Sequence, residues 1–165
     1  MENDGILHRS AEFLLRLTYR LRWLAPLLMR LFLGYFFLET GWGKIHNLDG
    51  FTQRFAQWGI PHPAFNAALS AYTEFIGGVL TIAGLFTRAV SIAMIINMAV
   101  AVLAVKIKQV SGLDDFVELD EPLYALGYFW LMMSGAGAVS LDYLLERFLQ
   151  LRGWSESKAG KSERL

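Results

Sequence analysis

Long apolar runs alternate with short polar ones along this chain, and four of the apolar runs are long enough to be bilayer-crossing helices: residues 24–44, 65–86, 89–105 and 122–139. A hydrocarbon core of about 30 Å asks for about 20 helical residues, and the last run reaches about 27 Å, just enough. None of the four is uniformly apolar. Laid on a helix at about 100° per residue, Arg30, Gly34, Phe37, Gly41 and Lys44 fall within roughly 40° of one line, and Glu39 points the opposite way. In the second run Ala67, Ala71, Glu74, Gly78, Thr81, Leu85 and Arg88 share a face, in the third Ala93, Asn97, Ala101 and Ala104, and in the fourth Tyr124, Tyr128, Leu131, Gly135, Ala138 and Asp142. A charge at mid-bilayer is unfavourable by a few to ten or more kcal/mol, roughly, so such faces turn toward protein. The pattern predicts an all-α polytopic membrane protein, a bundle of four transmembrane helices whose small and polar faces meet inside.

The segments between the runs fill in the organisation. Residues 1–23 read as a cytoplasmic N-terminal amphipathic segment, with Phe13, Leu14, Leu17 and Leu21 on one side of an interfacial helix and Glu12, Arg16 and Arg20 on another. The same residues would equally extend the first span inward. After Lys44, an Asp49-Gly50 turn, a short amphipathic helix over Phe51 to Trp58 and a break at Gly59 to Pro63 make a structured outer loop. Leu85 to Arg88 leave almost no loop before the third span, which predicts a tight hairpin. A second outer loop, 106–121, crowds Asp114, Asp115, Glu118, Asp120 and Glu121 together as a solvated acidic patch without calcium-loop spacing. Residues 144–165 read as a basic cytoplasmic tail without fixed structure. The domain from 24 to 143 holds all four spans.

Charge placement sets the expected orientation. Of the 15 basic residues, ten fall in the N-terminal segment, the Arg88 turn and the tail, and four in the two outer loops. The positive-inside rule then puts both termini in the cytoplasm. The formal net charge is zero, so no basic excess points to nucleic acid. Cysteine is absent, which excludes disulfides, thiolate nucleophiles and thiolate-held clusters. The first twenty-odd residues mix Glu2, Asp4 and Glu12 with four arginines, unlike a cleavable signal peptide.

Two polar groups stand out by depth. On the cytoplasmic side Arg30, Arg88 and Asp142 arrive from three elements, with Asp142 as the neutralising anion; together with Asn97, which can bond across the small-residue seam of the third span, they are the structural polar residues. Toward the outer side Lys44 and Glu74 come from antiparallel neighbours, with Tyr124 and Tyr128 descending from the fourth span. Depth estimates leave Lys44 and Glu74 short of each other, so a tyrosine, water or a ligand head group bridges the gap, and these four are the candidate ligand-binding residues. No catalytic residue is assigned. Helix-pinning ion pairs are the alternative for both groups. His46 and His62, sixteen residues apart, lack metal-ligand spacing, and no metal site is expected. Glu39 either faces an oligomer partner, a second copy included, or stays protonated.

Residues 30–44 (RLFLGYFFLETGWGK), 55–61 (FAQWGIP), 74–88 (EFIGGVLTIAGLFTR) and 135–142 (GAGAVSLD) together resemble the DoxX family of four-span membrane proteins, over roughly Leu24 to Tyr143. The resemblance implies a bacterial or archaeal inner-membrane protein, in a family named after a subunit associated with terminal quinol oxidase and thiosulfate:quinone oxidoreductase. Other relatives are associated with oxidative-stress complexes or with peptide and metal-handling operons. Ala138 stands where relatives often place Lys or Arg.

Two functions of different class follow as expectations. One is a redox-associated membrane subunit binding a quinone-like or other small amphipathic molecule among the helices and exchanging electrons with a partner protein, an oxidoreductase subunit by resemblance alone. It has no covalent cofactor, and quinone is the candidate. The other is a non-enzymatic membrane accessory or partner-docking protein of a stress-response or peptide/metal-handling system. A small transporter ranks below both, because four spans without an internal repeat would have to oligomerise to form a pathway. For the orientation, a reporter fused after Leu165 is expected on the cytoplasmic side and one inserted near Gly112 on the periplasmic side; the reverse pattern ends the argument.

Overall fold

The computed structural model describes residues 2–107 and 110–150, with side chains from Glu12 onward. Its helices are α1 (Glu2–Leu21), α2 (Leu24–His46), α3 (Leu48–Gln57), α4 (Pro63–Ala83), α5 (Thr87–Ala101), α6 (Leu113–Val117) and α7 (Asp120–Ser134), and α5 continues through a π turn at Val102–Lys106. A further helix, α8, runs from residue 141 through 150, so the start of the expected tail is helical; the rest of that tail, 151–165, lies outside the described residues. Two helices, Leu24–His46 and Thr87–Lys106, are long and apolar enough to cross a membrane.

Local chemistry sets the helix ends. Pro26 and Pro63 occupy first turns, where a missing N–H breaks no bond. α4 closes on Gly84 at φ 64°, with Leu85 N–H donating to Leu80 O and Gly84 N–H to Thr81 O, the paired bonds of a Schellman cap. The fourth apolar run departs from expectation. α7 stops at Ser134, five residues short of Val139, because Gly135 and Gly137 turn left-handed at φ 77° and 80°. Its 15 residues cover about 22 Å, and the expected small-residue face becomes an irregular turn.

α2 and α4 make the most extensive contact; α5 packs on α7 and α4, and α7 returns to α2. The core they enclose contains Leu33, Phe37, Val90, Met94, Met98, Tyr128 and Leu131. A second cluster closes the end opposite the α4–α5 turn, where Phe51 and Phe55 of α3 sit on Ala67 and Ala71 of α4. On α5 the buried seam is Val90, Met94, Met98 and Val102 with Thr87 and Ser91, not the alanine face expected from periodicity, and Ala93 is exposed. Flexible methionines fill the uneven space between α4 and α7 that alanines would leave open.

The α2–α4 contact is built on glycine. A side-chain carbon at Gly41 would overlap the backbone of Phe75, one at Gly78 the backbone of Leu38, and one at Gly34 would come within 2.6 Å of Ile82. Outward, Phe32, Phe65, Ile96, Leu103 and Leu126 are all more than half exposed, whereas Arg30, Glu74, Thr81, Thr87 and Ser91 are buried. Polar inside and apolar outside is the distribution a lipid solvent selects. Gly78→Ala is expected to lower stability by about 1–3 kcal/mol through overpacking. Gly43→Ala, on α2 and with nothing within 4 Å, should be neutral or gain up to ~1 kcal/mol. Thermal unfolding in detergent measures both, and equal effects would mean the close contact does not exist.

Candidate functional site

Two buried polar centres lie along the helices, an inner one beside the α4–α5 turn and an outer one beneath α3, the two words naming ends of the bundle. At the inner one the Arg30 guanidinium, 2% exposed, gathers backbone carbonyls from two elements. Nε donates to Thr81 O at 3.0 Å and Nη2 to Ile82 O at 2.7 Å, while Nη1 donates to Ala136 O and Val139 O, both at 2.7 Å. The first two are last-turn carbonyls of α4, of which Thr81 O also accepts from Gly84 N–H, and the others belong to the turn that ends α7. Arg30 therefore ties together two chain ends, and its charge meets the negative pole of α4. Gly84 leaves it room, since a side-chain carbon there would sit 2.5 Å from Cζ.

Asp142 does not neutralise Arg30 directly, contrary to the expected cluster. Its carboxylate accepts from Phe86 N–H at 2.7 Å and Thr87 N–H at 2.9 Å, capping α5 from another helix, and its own N–H donates to Gly84 O at 2.9 Å. These bonds hold Phe86 at φ 51°, a left-handed conformation unusual for an aromatic residue. Arg88 is exposed and leaves the network, because α4 ends at Ala83 and the reversal places Arg88 on the outward face of the first turn of α5.

At the outer centre Lys44 and Glu74 meet directly, with Nζ 2.5 Å from both carboxylate oxygens. The expected gap closes because Gly41, one turn before Lys44, rests on the α4 backbone at Glu74 and Phe75. Thr40 Oγ1 donates to Glu74 Oε2 at 3.2 Å and Asn97 Nδ2 to Oε1 at 3.1 Å, so Asn97 bonds across from α5 to α4 at this centre. Phe51 of α3 covers the ammonium at 5.1 Å from its ring centre. Beneath, the Tyr124 ring lies 4.6 Å from Phe36 and the Tyr128 ring 5.6 Å from Phe37. Tyr128 is wholly buried; the Thr81 hydroxyl stands beside its oxygen, and its own O–H meets no acceptor. Thr40 and Phe51 escaped the sequence reading, although Thr40 stands four residues before Lys44, where a helix brings the two to one side. Of the two outer histidines, His46 stacks on Trp42 and bonds its carbonyl, and His62 is the exposed N-cap of α4.

The model of the DoxX family matches residues 25–107, half of the chain. This chain belongs to the DoxX family. Its relatives include a Bacillus subtilis protein named "Putative oxidoreductase CatD", 35% identical over 72% of this chain and 85% of its own length. An uncharacterized membrane protein of Mycobacterium tuberculosis, Rv3486, is 30% identical over 72% of this chain and 80% of its own. The inner membrane protein YqjF of Escherichia coli is 26% identical over 73% and 92%. No solved structure matches. The chain is thus a DoxX membrane protein, and the matched region carries Arg30, Thr40, Lys44, Glu74 and Asn97. Tyr124, Tyr128 and Asp142 lie beyond it.

Exposure makes the outer pair of this DoxX protein asymmetric: the Lys44 side chain is 30% exposed and that of Glu74 4%. Without its carboxylate the lysine can extend to the interface, whereas the glutamate has nowhere to go. Lys44→Met is therefore expected to destabilise by about 3–5 kcal/mol, the range for stranding a buried charge. Glu74→Gln keeps hydrogen-bond partners and should lose only about 1–2 kcal/mol. Unfolding in detergent tests the order, and a larger loss for Glu74→Gln would refute it.

Proposed function

We propose that this DoxX protein is a redox-associated subunit of the bacterial inner membrane, crossing it as a bundle of α2, α4, α5 and α7 with both termini cytoplasmic. It binds a quinone-like or other small amphipathic molecule beside the outer polar centre. The observation that carries this reading is the Lys44–Glu74 pair, an ammonium and a carboxylate 2.5 Å apart between helices whose outer faces are apolar. Ionisable residues at such depth are functional candidates in their own right. The aromatic rings of Phe36, Phe37, Tyr124 and Tyr128 beneath the pair are the surface on which a planar head group stacks. The donors present, the Lys44 ammonium and the Tyr128 hydroxyl, suit the carbonyl oxygens of a quinone, and Glu74 can hold a proton next to them. A bound quinone would supply the electron-carrying chemistry that side chains lack. The name of the Bacillus relative points the same way.

One observation favours the alternative of a non-enzymatic accessory protein. The Glu74 carboxylate is fully engaged by Lys44, Thr40 and Asn97, as a purely helix-pinning pair would be. Purified wild-type protein should carry a lipid-soluble quinone detectable by mass spectrometry of the organic extract. Glu74→Gln, still folded, should lose it by about tenfold or more, as an interaction of about 1.4 kcal/mol implies. Equal retention, or none in the wild type, decides for the accessory role.

A further inference from the structure

The most completely buried large side chains, all below 2% or at it, are Met94 and Leu131 together with four that carry hydroxyls: Tyr128, Thr81, Thr87 and Ser91. The hydroxyls of Thr87 and Ser91 have no hydrogen-bond partner, and that of Tyr128 has only the Thr81 hydroxyl beside it and no acceptor for its own proton. Elsewhere the same residue types satisfy themselves on a carbonyl of the preceding turn, Thr18 on Leu14 and Ser134 on Trp130. A buried donor left unpaired is unfavourable, and O–H groups without acceptors gathered in one core point to an acceptor brought from outside the chain.

The same helices leave a route to it. Between α4 and α5 an apolar groove of about 310 Å³ opens on the lipid-facing side, walled by Tyr72, Ile76 and Leu80 and by Val90 and Ala93. Met94 lines its inner side and is itself fully buried. On its other side Met94 belongs to the core cluster that contains Phe37 and Tyr128. Thr87 and Ser91 lie within about 60° of Met94 around α5. Gly77 faces the thioether, where a side-chain carbon would stand 2.7 Å from Sδ. An unbranched thioether opposite a glycine is the most easily displaced barrier a packed core can offer.

We propose that this groove is a lateral portal from the bilayer, closed by Met94. Its ligand is a lipid-soluble molecule with an apolar tail and a carbonyl-bearing head: the tail lies along Tyr72, Ile76 and Ala93, and the head accepts hydrogen bonds from Tyr128 and Ser91. The proposal rests on the reading that the protein binds a quinone-like molecule, and adds the route, the seat of the tail and the donors to the head.

The natural absence of cysteine allows a single one to be placed. Ala93→Cys, exposed in the groove, is prepared in lipid nanodiscs and alkylated with N-benzylmaleimide after folding, which separates blockage from misfolding. The probe is an azidoquinone with an isoprenoid tail, read out by total saturable incorporation and by peptide mapping. Labelling should map to residues 69–80 and 90–94, be displaced by excess long-chain quinone but not by added phospholipid, and fall about tenfold on alkylation, corresponding to about 1.4 kcal/mol. Tyr128→Phe, which keeps the ring against Phe37, should weaken labelling severalfold with unchanged thermal unfolding. Saturable labelling that maps elsewhere and ignores alkylation, or that phospholipid displaces equally, overturns the portal and leaves the quinone-binding reading standing. No saturable labelling of the wild type overturns both.

Discussion

A single guanidinium governs the inner end of the molecule. Arg30 is buried among helices with apolar exteriors and makes no direct salt bridge with the described acids; four carbonyl dipoles balance its charge, and Asp142 acts on it through space. Those carbonyls come from the end of α4 and the turn after α7, so one side chain of α2 fixes where two other helices stop. An arginine suits this because its planar fork presents several donors in fixed directions, where an ammonium would offer one compact charge. Asp142 completes the corner from the other side by capping α5. Both charged groups are spent on backbone, as a low-dielectric environment demands when chain ends have no water to bind.

The outer polar centre depends on a different constraint, the approach of two backbones. Gly34, Gly41 and Gly78 allow α2 and α4 to touch without intervening side chains. That proximity brings Lys44 onto Glu74, and Thr40 and Asn97 supply the remaining donors. Close packing and the buried pair are thus one feature at two levels, since side-chain bulk at Gly41 would push apart the charges one turn away. α3 then folds back over α4 and sets Phe51 above the ammonium, which turns an outer loop into a cover for the pair.

Between these two ends lies a core of methionines, aromatic rings and hydroxyls. Each end is organised by a charged group, whereas the middle holds hydroxyl donors without acceptors, on Ser91 and Tyr128, and a flexible side chain opposite a glycine. Stability concentrated in the corners leaves the centre free to carry function, and low packing specificity there is what an exchanging ligand requires.

Much of the architecture was legible in the chain itself. Apolar run length located α2, α4, α5 and α7, and a period of about 3.6 residues identified the buried faces of α2 and α4 almost residue for residue, because those two helices meet along one straight seam. Membership in the DoxX family could be read from Arg30 to Lys44 and Glu74 to Arg88. Periodicity failed on α5, which serves two neighbours at once, and on residues 135–139, where consecutive small residues are equally compatible with a tight helix contact and with a left-handed turn. Only the tertiary structure decided between those, by offering Arg30 as the donor for the carbonyls a turn exposes. It also decided that Lys44 and Glu74 touch, that Asp142 caps a helix and does not pair with arginine, and that Arg88 faces outward. Each of these depends on distances between helices, which residue spacing along one helix does not contain.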